Sequence, residues 1–129
     1  MEKKFLKKII AQSEKDLRII SALCSESEVV KSNIKFLKKN KVFLIPVLRK
    51  NKEKENSKEK INSIIKFEYV ENSKSKNIKH NDNSDNLYLI AIDLFRNNQN
   101  YEIVLLFLNN KVITLKTEVI EVTLEDIKT

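Results

Sequence analysis

The sequence predicts a single α+β domain: an antiparallel curved sheet or partial barrel of seven to eight strands, with one helix in the N-terminal half. Only one window carries apolar residues at helical spacing, at Leu17, Ile20 and Cys24 with Leu23 beside them. Almost everything after it alternates with period two, in runs rich in Val, Ile, Leu and Phe. These runs are separated by Lys/Asn turns and by two polar stretches, about 50–61 and 71–86. The 129 residues suffice for one domain, residues 1–129, and not for two.

Phe5–Ile10 reads as a first strand. Ser13 then offers a capping hydroxyl and Asp16 a first-turn charge for a helix ending near Ser25–Ser27. Ile34 and Phe36 form one arm of a hairpin that turns at Lys39-Asn40 into Val42–Leu48, with Asn40 standing for the usual Gly at a left-handed position. Pro46 cannot donate to a ladder, which places that second arm at an edge or at a bulge. Ile64–Val70 resumes the alternation, and Glu71–Asn86 reads as a long polar loop. Leu87–Phe95 is apolar on both faces, as a central strand would be. Tyr101–Leu108 and Lys111–Thr117 flank Asn109-Asn110, an Asn pair where hairpins often use Gly. Ile120, Val122 and Leu124 alternate with Glu121, Thr123 and Glu125 as a half-buried last strand.

Composition excludes several chemistries. The chain has no glycine, so no Gly-rich phosphate cradle can form. One Cys and one His rule out a Cys/His zinc set and a disulfide framework. No apolar run approaches the ~18 residues of a spanning helix, and the stretch after Met1–Lys8 is too short for a signal core. The expected setting is cytoplasmic, with no membrane partner and no cofactor. The net charge of +7 is built from 22 Lys and only 3 Arg, beside 15 Asn and 16 Ile, a composition that A/T-rich codons produce by themselves. Codon bias acts on both halves alike, yet residues 1–70 carry +9 and residues 71–129 carry −2. The asymmetry is the part open to a functional reading.

Candidate chemistry is sparse. His80 lies within Lys79-His80-Asn81-Asp82 in a polar loop and reads as solvated, because a catalytic His needs an orienting partner on a fixed scaffold. Cys24 sits on the apolar helix face near the C-terminus, where the dipole disfavours a thiolate, and reads as a packed thiol. The carboxylate pairs Glu125-Asp126, Glu53/Glu55 and Asp82/Asp85 read as solvated charge. Phe36, Phe43, Phe67 and Tyr69 all look core-facing. The strongest surface candidate is basic: Lys35, Lys38, Lys39, Lys41, Arg49, Lys50, Lys52 and Lys54, on one hairpin and the loop after it.

With these residues laid out, the chain resembles a family of small alphaproteobacterial proteins catalogued as domain of unknown function 2948. The likeness runs nearly the full length. It rests on Glu14-Lys15-Asp16-Leu17 with Ser21-Ala22-Leu23, on Phe43-Leu44-Ile45 followed by Arg49, on Leu87–Phe95, and on the closing Ile120–Ile127 with its Leu124-Glu125-Asp126-Ile127 end. The chain departs from the family in lacking Trp and in carrying Asn77 and Asn109-Asn110 where glycines are usual. The resemblance implies a single full-length domain in a bacterial cytosol and supplies no catalytic residue.

These readings lead to an expected function: a non-enzymatic module that binds another protein through a sheet edge or the surface beside the helix. The alternative is a nucleic-acid-binding accessory protein that uses Lys35–Lys54. A third class, an enzyme, would need a polar pocket that the sequence does not announce.

Overall fold

The structure, a computed structural model, describes residues 7–79 and 86–127. Helix α1 spans Glu14–Cys24. Ser13 is its N-cap, in extended conformation, and the Ser13 hydroxyl accepts from the Asp16 N–H at 3.2 Å. Leu17, Ile20 and Cys24 are buried and the opposite face is exposed, so the helical period alone decides what packs inward. The last turn carries no basic residue. Lys52 fills that role from a distant loop, donating its ammonium to the Ala22 carbonyl at 2.8 Å.

Among the described residues ten strands follow in chain order: β1 (Lys8–Ala11), β2 (Ser27–Val29), β3 (Lys35–Leu37), β4 (Val42–Lys50), β5 (Lys60–Phe67), β6 (Val70–Lys76), β7 (Leu87–Arg96), β8 (Tyr101–Phe107), β9 (Lys111–Thr117) and β10 (Val122–Asp126). Short 3-10 turns occupy Lys31–Asn33 and Lys38–Asn40. All pairings are antiparallel, in the order β1-β10-β5-β4-β2-β7-β8-β9-β6, with β3 on the start of β4.

Topology dictates that this sheet is rolled. Strands β5 and β6 stand six steps apart in the order, about 29 Å if the sheet were flat. Only Glu68 and Tyr69 join them, a link of roughly 10 Å. The sheet therefore curves until the start of β6 returns beside the start of β4, where the Val70 N–H donates to the Lys41 carbonyl at 2.8 Å. Edges β1 and β6 remain, so the sheet is open. Its concave face carries Phe43, Ile45, Val47, Ile65, Phe67, Ile103, Leu105, Leu115, Val122 and Leu124, and α1 packs into it against β7, β1 and β4. Phe36, Phe43 and Phe67 form a ring series across β3, β4 and β5, tilted at the first step and edge-to-face at the second, with centroids 6.1 Å apart at each.

The α+β class, the helix and the curved sheet follow the sequence reading; four details do not. Two strands exceed the expected seven to eight. Three-residue β2 carries too little pattern to register, and β6 runs through what read as the start of the 71–86 loop. Among the described residues strand β6 pairs with β9 alone, and its inward positions opposite Leu115 and Ile113 are Ser73 and Ser75, so no apolar alternation marks it. Strand β4 is interior, not an edge. Pro46 sits where the pairing with β3 has ended at Leu44 and that with β2 has not begun at Leu48. The left-handed residue of the first hairpin is Lys41 (φ 57°), not Asn40. In the last hairpin both Asn109 and Asn110 are left-handed, at 67° and 60°.

Candidate binding surface

Strand β4 separates the expected basic patch into three environments. Lys35, Lys38, Lys39 and Lys41 gather at its N-terminal end, while Lys50 and Lys52 lie at or beyond its C-terminal end, about 30 Å away. There they are committed. Lys50 pairs with Glu26 at 2.9 Å, holding that carboxyl below its usual range, and Lys52 serves the helix. Lys54 is exposed in the 51–59 loop.

Arg49 is no surface residue at all. Its side chain is 0% exposed, because it shares the inward parity of Phe43, Ile45 and Val47. The guanidinium donates to Asp126 Oδ1 and Oδ2 at 3.1 Å each from Nη2, and its Nε reaches Ser63 Oγ at 3.1 Å. Glu53 closes the other side at 2.8 and 3.1 Å. The Ser63 hydroxyl donates to Asp126 Oδ1 at 2.7 Å, and the Lys7 backbone N–H donates to Oδ2 at 3.1 Å. Three adjacent strands and a loop are thereby bound to one buried cation.

The expectation of solvated carboxylates fails for Asp126, which is 6% exposed, whereas Glu53 is exposed as expected and is held against Arg49. The Arg49 hydrogen bond and the neighbouring Lys7 hold the Glu53 carboxyl down at about 2. The missed signal was a polar residue at inward parity, repeated on β4, β5 and β10. Cys24 is buried as its spacing indicates, and burial pushes its thiol up to about 12. His80, Asp82 and Asp85 lie outside the described residues.

The opposite end of the molecule holds an exposed apolar corner. Lys41 and Tyr69 both adopt left-handed backbone (φ 57° and 59°), unusual for bulky residues, and the Val70–Lys41 hydrogen bond joins their corners. Tyr69 has the parity of Phe67, but the left-handed turn throws it outward, and it is 46% exposed rather than core-facing. Val119 is equally exposed, and the Glu118 N–H donates to the Tyr69 carbonyl, which brings that loop alongside. Leu37, paired with Val42, adds a third exposed apolar residue.

The charges here are mixed. Lys41 pairs with Glu118 at 3.8 Å, and Lys35, Lys38 and Lys39 form no ion pair among the described residues. The Glu121 carboxylate beside Glu68 raises the Glu68 pKa. Clefts also lie elsewhere among the described residues. One, of about 420 Å³, opens over Leu44, Ile64, Lys66, Thr123 and Glu125; another, of about 240 Å³, lies between Lys31, Asn77, Lys79 and Lys111. Among the described residues no three His, Cys, Asp or Glu side chains converge as a metal set, and no helix is long and apolar enough to cross a membrane.

A rolled antiparallel sheet filled by one helix, with its polar cluster internal and its strained corner outside, defines a small α+β domain. The chain belongs to the family described as Protein of unknown function (DUF2948), whose profile matches residues 7–129. No curated protein and no solved structure matches it.

Proposed function

We propose that this chain is a small non-enzymatic cytoplasmic protein that acts by binding another protein, and that the contact is made at the corner of Leu37–Lys41, Tyr69 and Glu118–Val119. The observation that carries the reading is Tyr69, held nearly half exposed on a left-handed backbone. That conformation costs an L-residue roughly 1–2 kcal/mol, and strain of this kind concentrates where a surface is used. An exposed aromatic beside Val119, with Leu37 exposed across the Lys38–Asn40 turn, supplies apolar area for a contact, and lysines and glutamates supply a polar rim. Glu68, Glu118 and Glu121 beside the lysines suit a protein better than a polyanion, whose phosphates they would repel. The two sheet edges are poorer candidates than the sequence alone suggested: β1 has four residues, and β6 carries Lys74 and Lys76, the charges that blunt edge pairing.

The test is capture from a lysate of cells that make the protein, split into nuclease-treated and untreated halves, with wild type and Tyr69→Asn as baits. Asn tolerates the left-handed backbone, so the variant keeps its fold while losing the ring. One discrete protein held by wild type in both halves and lost from the variant is the expected result. Nucleic acid in the eluate, with every partner lost on nuclease treatment, would instead favour the nucleic-acid reading, now confined to Lys35, Lys38, Lys39 and Lys41.

A further inference from the structure

The convex face of β7, β8, β9 and β6 is apolar in its middle, and no further layer covers it among the described residues. Register places its side chains in rows, because directly opposed residues stand on one face. One row is Ala91, Leu106, Val112 and Lys76; the next is Asp93, Val104, Thr114 and Lys74; the third is Phe95, Glu102, Lys116 and Asn72. Ala91, Val104, Leu106 and Val112 are half-buried, and Phe95 is 54% exposed. The acids lie on β7 and β8 and the lysines on β9 and β6. Asp93, Lys74, Lys76 and Lys116 make no ion pair among the described residues.

We infer that this face binds a second copy of the chain in a two-fold dimer whose axis runs parallel to the strands. Rotation about such an axis lays β7 over the second copy's β6 and β8 over its β9, row upon row. Asp93 then meets Lys74, Glu102 meets Lys116, and Leu106 meets Val112, each contact occurring twice. An axis across the strands would set β7 on β7 and β6 on β6, like charge on like, so the charge pattern selects the first arrangement. The footprint is about 19 Å by 17 Å, small beside the roughly 800 Å² each partner contributes to a standard interface. The dimer is accordingly a weak one, with a dissociation constant roughly in the micromolar range.

Sedimentation velocity on the full chain, across a concentration series at low salt, tests this. Wild type is expected to shift from monomer to dimer with concentration, and Asp93→Lys or Lys74→Asp alone to weaken association about tenfold or more. An equimolar mixture of the two variants restores dimer, because each then offers the charge the other lacks. Both positions are exposed, and circular dichroism of each variant confirms the fold independently of assembly. A monomeric mass up to about 1 mM, a dimer indifferent to both reversals, or a mixture that stays monomeric would overturn the inference.

Discussion

Arg49 joins strands that lie far apart in the chain, and its burial sets the largest single-residue effects. Removing one partner of a buried ion pair leaves the other charge uncompensated, a loss of about 3–5 kcal/mol. Arg49→Met and Asp126→Leu are each expected to lower stability by that much in urea unfolding. The double replacement should recover most of it, since apolar groups of similar volume desolvate nothing. Glu53 adds a pH signature. Its folded pKa of about 2 lies below the ordinary 4.5, so the native state binds fewer protons than the unfolded one. That contribution is full above pH 4.5 and is lost as pH falls toward 2. Glu53→Gln should flatten the urea midpoint over this acid window, and a pH profile of unfolding reads the difference. Little of this cluster was visible in the chain. The parity of Arg49 with Phe43, Ile45 and Val47 was legible, but the partners at positions 63 and 126 are set by a register among three strands that no local pattern encodes.

The elements themselves were largely legible, because helix and strand periods are local. Ser13, Leu17, Ile20 and Cys24 suffice to place α1, and Ser13→Ala should cost about 1 kcal/mol through the lost cap. The hairpin at Asn109-Asn110 shows how a glycine-free chain makes a left-handed turn. Asn accepts positive φ with a smaller penalty than other residues, and a glycine there removes it. Asn110→Gly is expected to hold or raise the thermal midpoint, and Asn110→Val to lower it, in a calorimetric scan. Where elements were missed, the physical cause was absence of contrast: β6 buries Val70 and then presents serines inward and lysines outward. Pro46 misled for a different reason. Its missing N–H requires only an unpaired position, and an interior strand can supply one where its neighbours β3 and β2 stop short of each other.

At the scale of the whole molecule, the length of β4 separates the basic residues of the 35–54 segment into two ends and an interior. One end is committed to the helix and to Glu26, the interior to Arg49, and the other end is left with a strained, apolar and mixed-charge corner. Curvature also explains why Tyr69 read as core: an unbroken strand from Ile64 to Val70 would have buried it, whereas the chain turns there to close the roll. The exposed corner is one apolar surface among those the folded protein leaves available, and the proposed reading of the molecule as a protein-binding module rests on it. The direct measurement is site-specific photo-crosslinking in the cells that make the protein, with a benzoylphenylalanine at Tyr69 or Val119 and a control at Glu55 in the distant loop. One discrete protein adduct is expected, the same from positions 69 and 119 and absent from 55. Adducts of equal pattern from all three positions, or none from the corner, would contradict it.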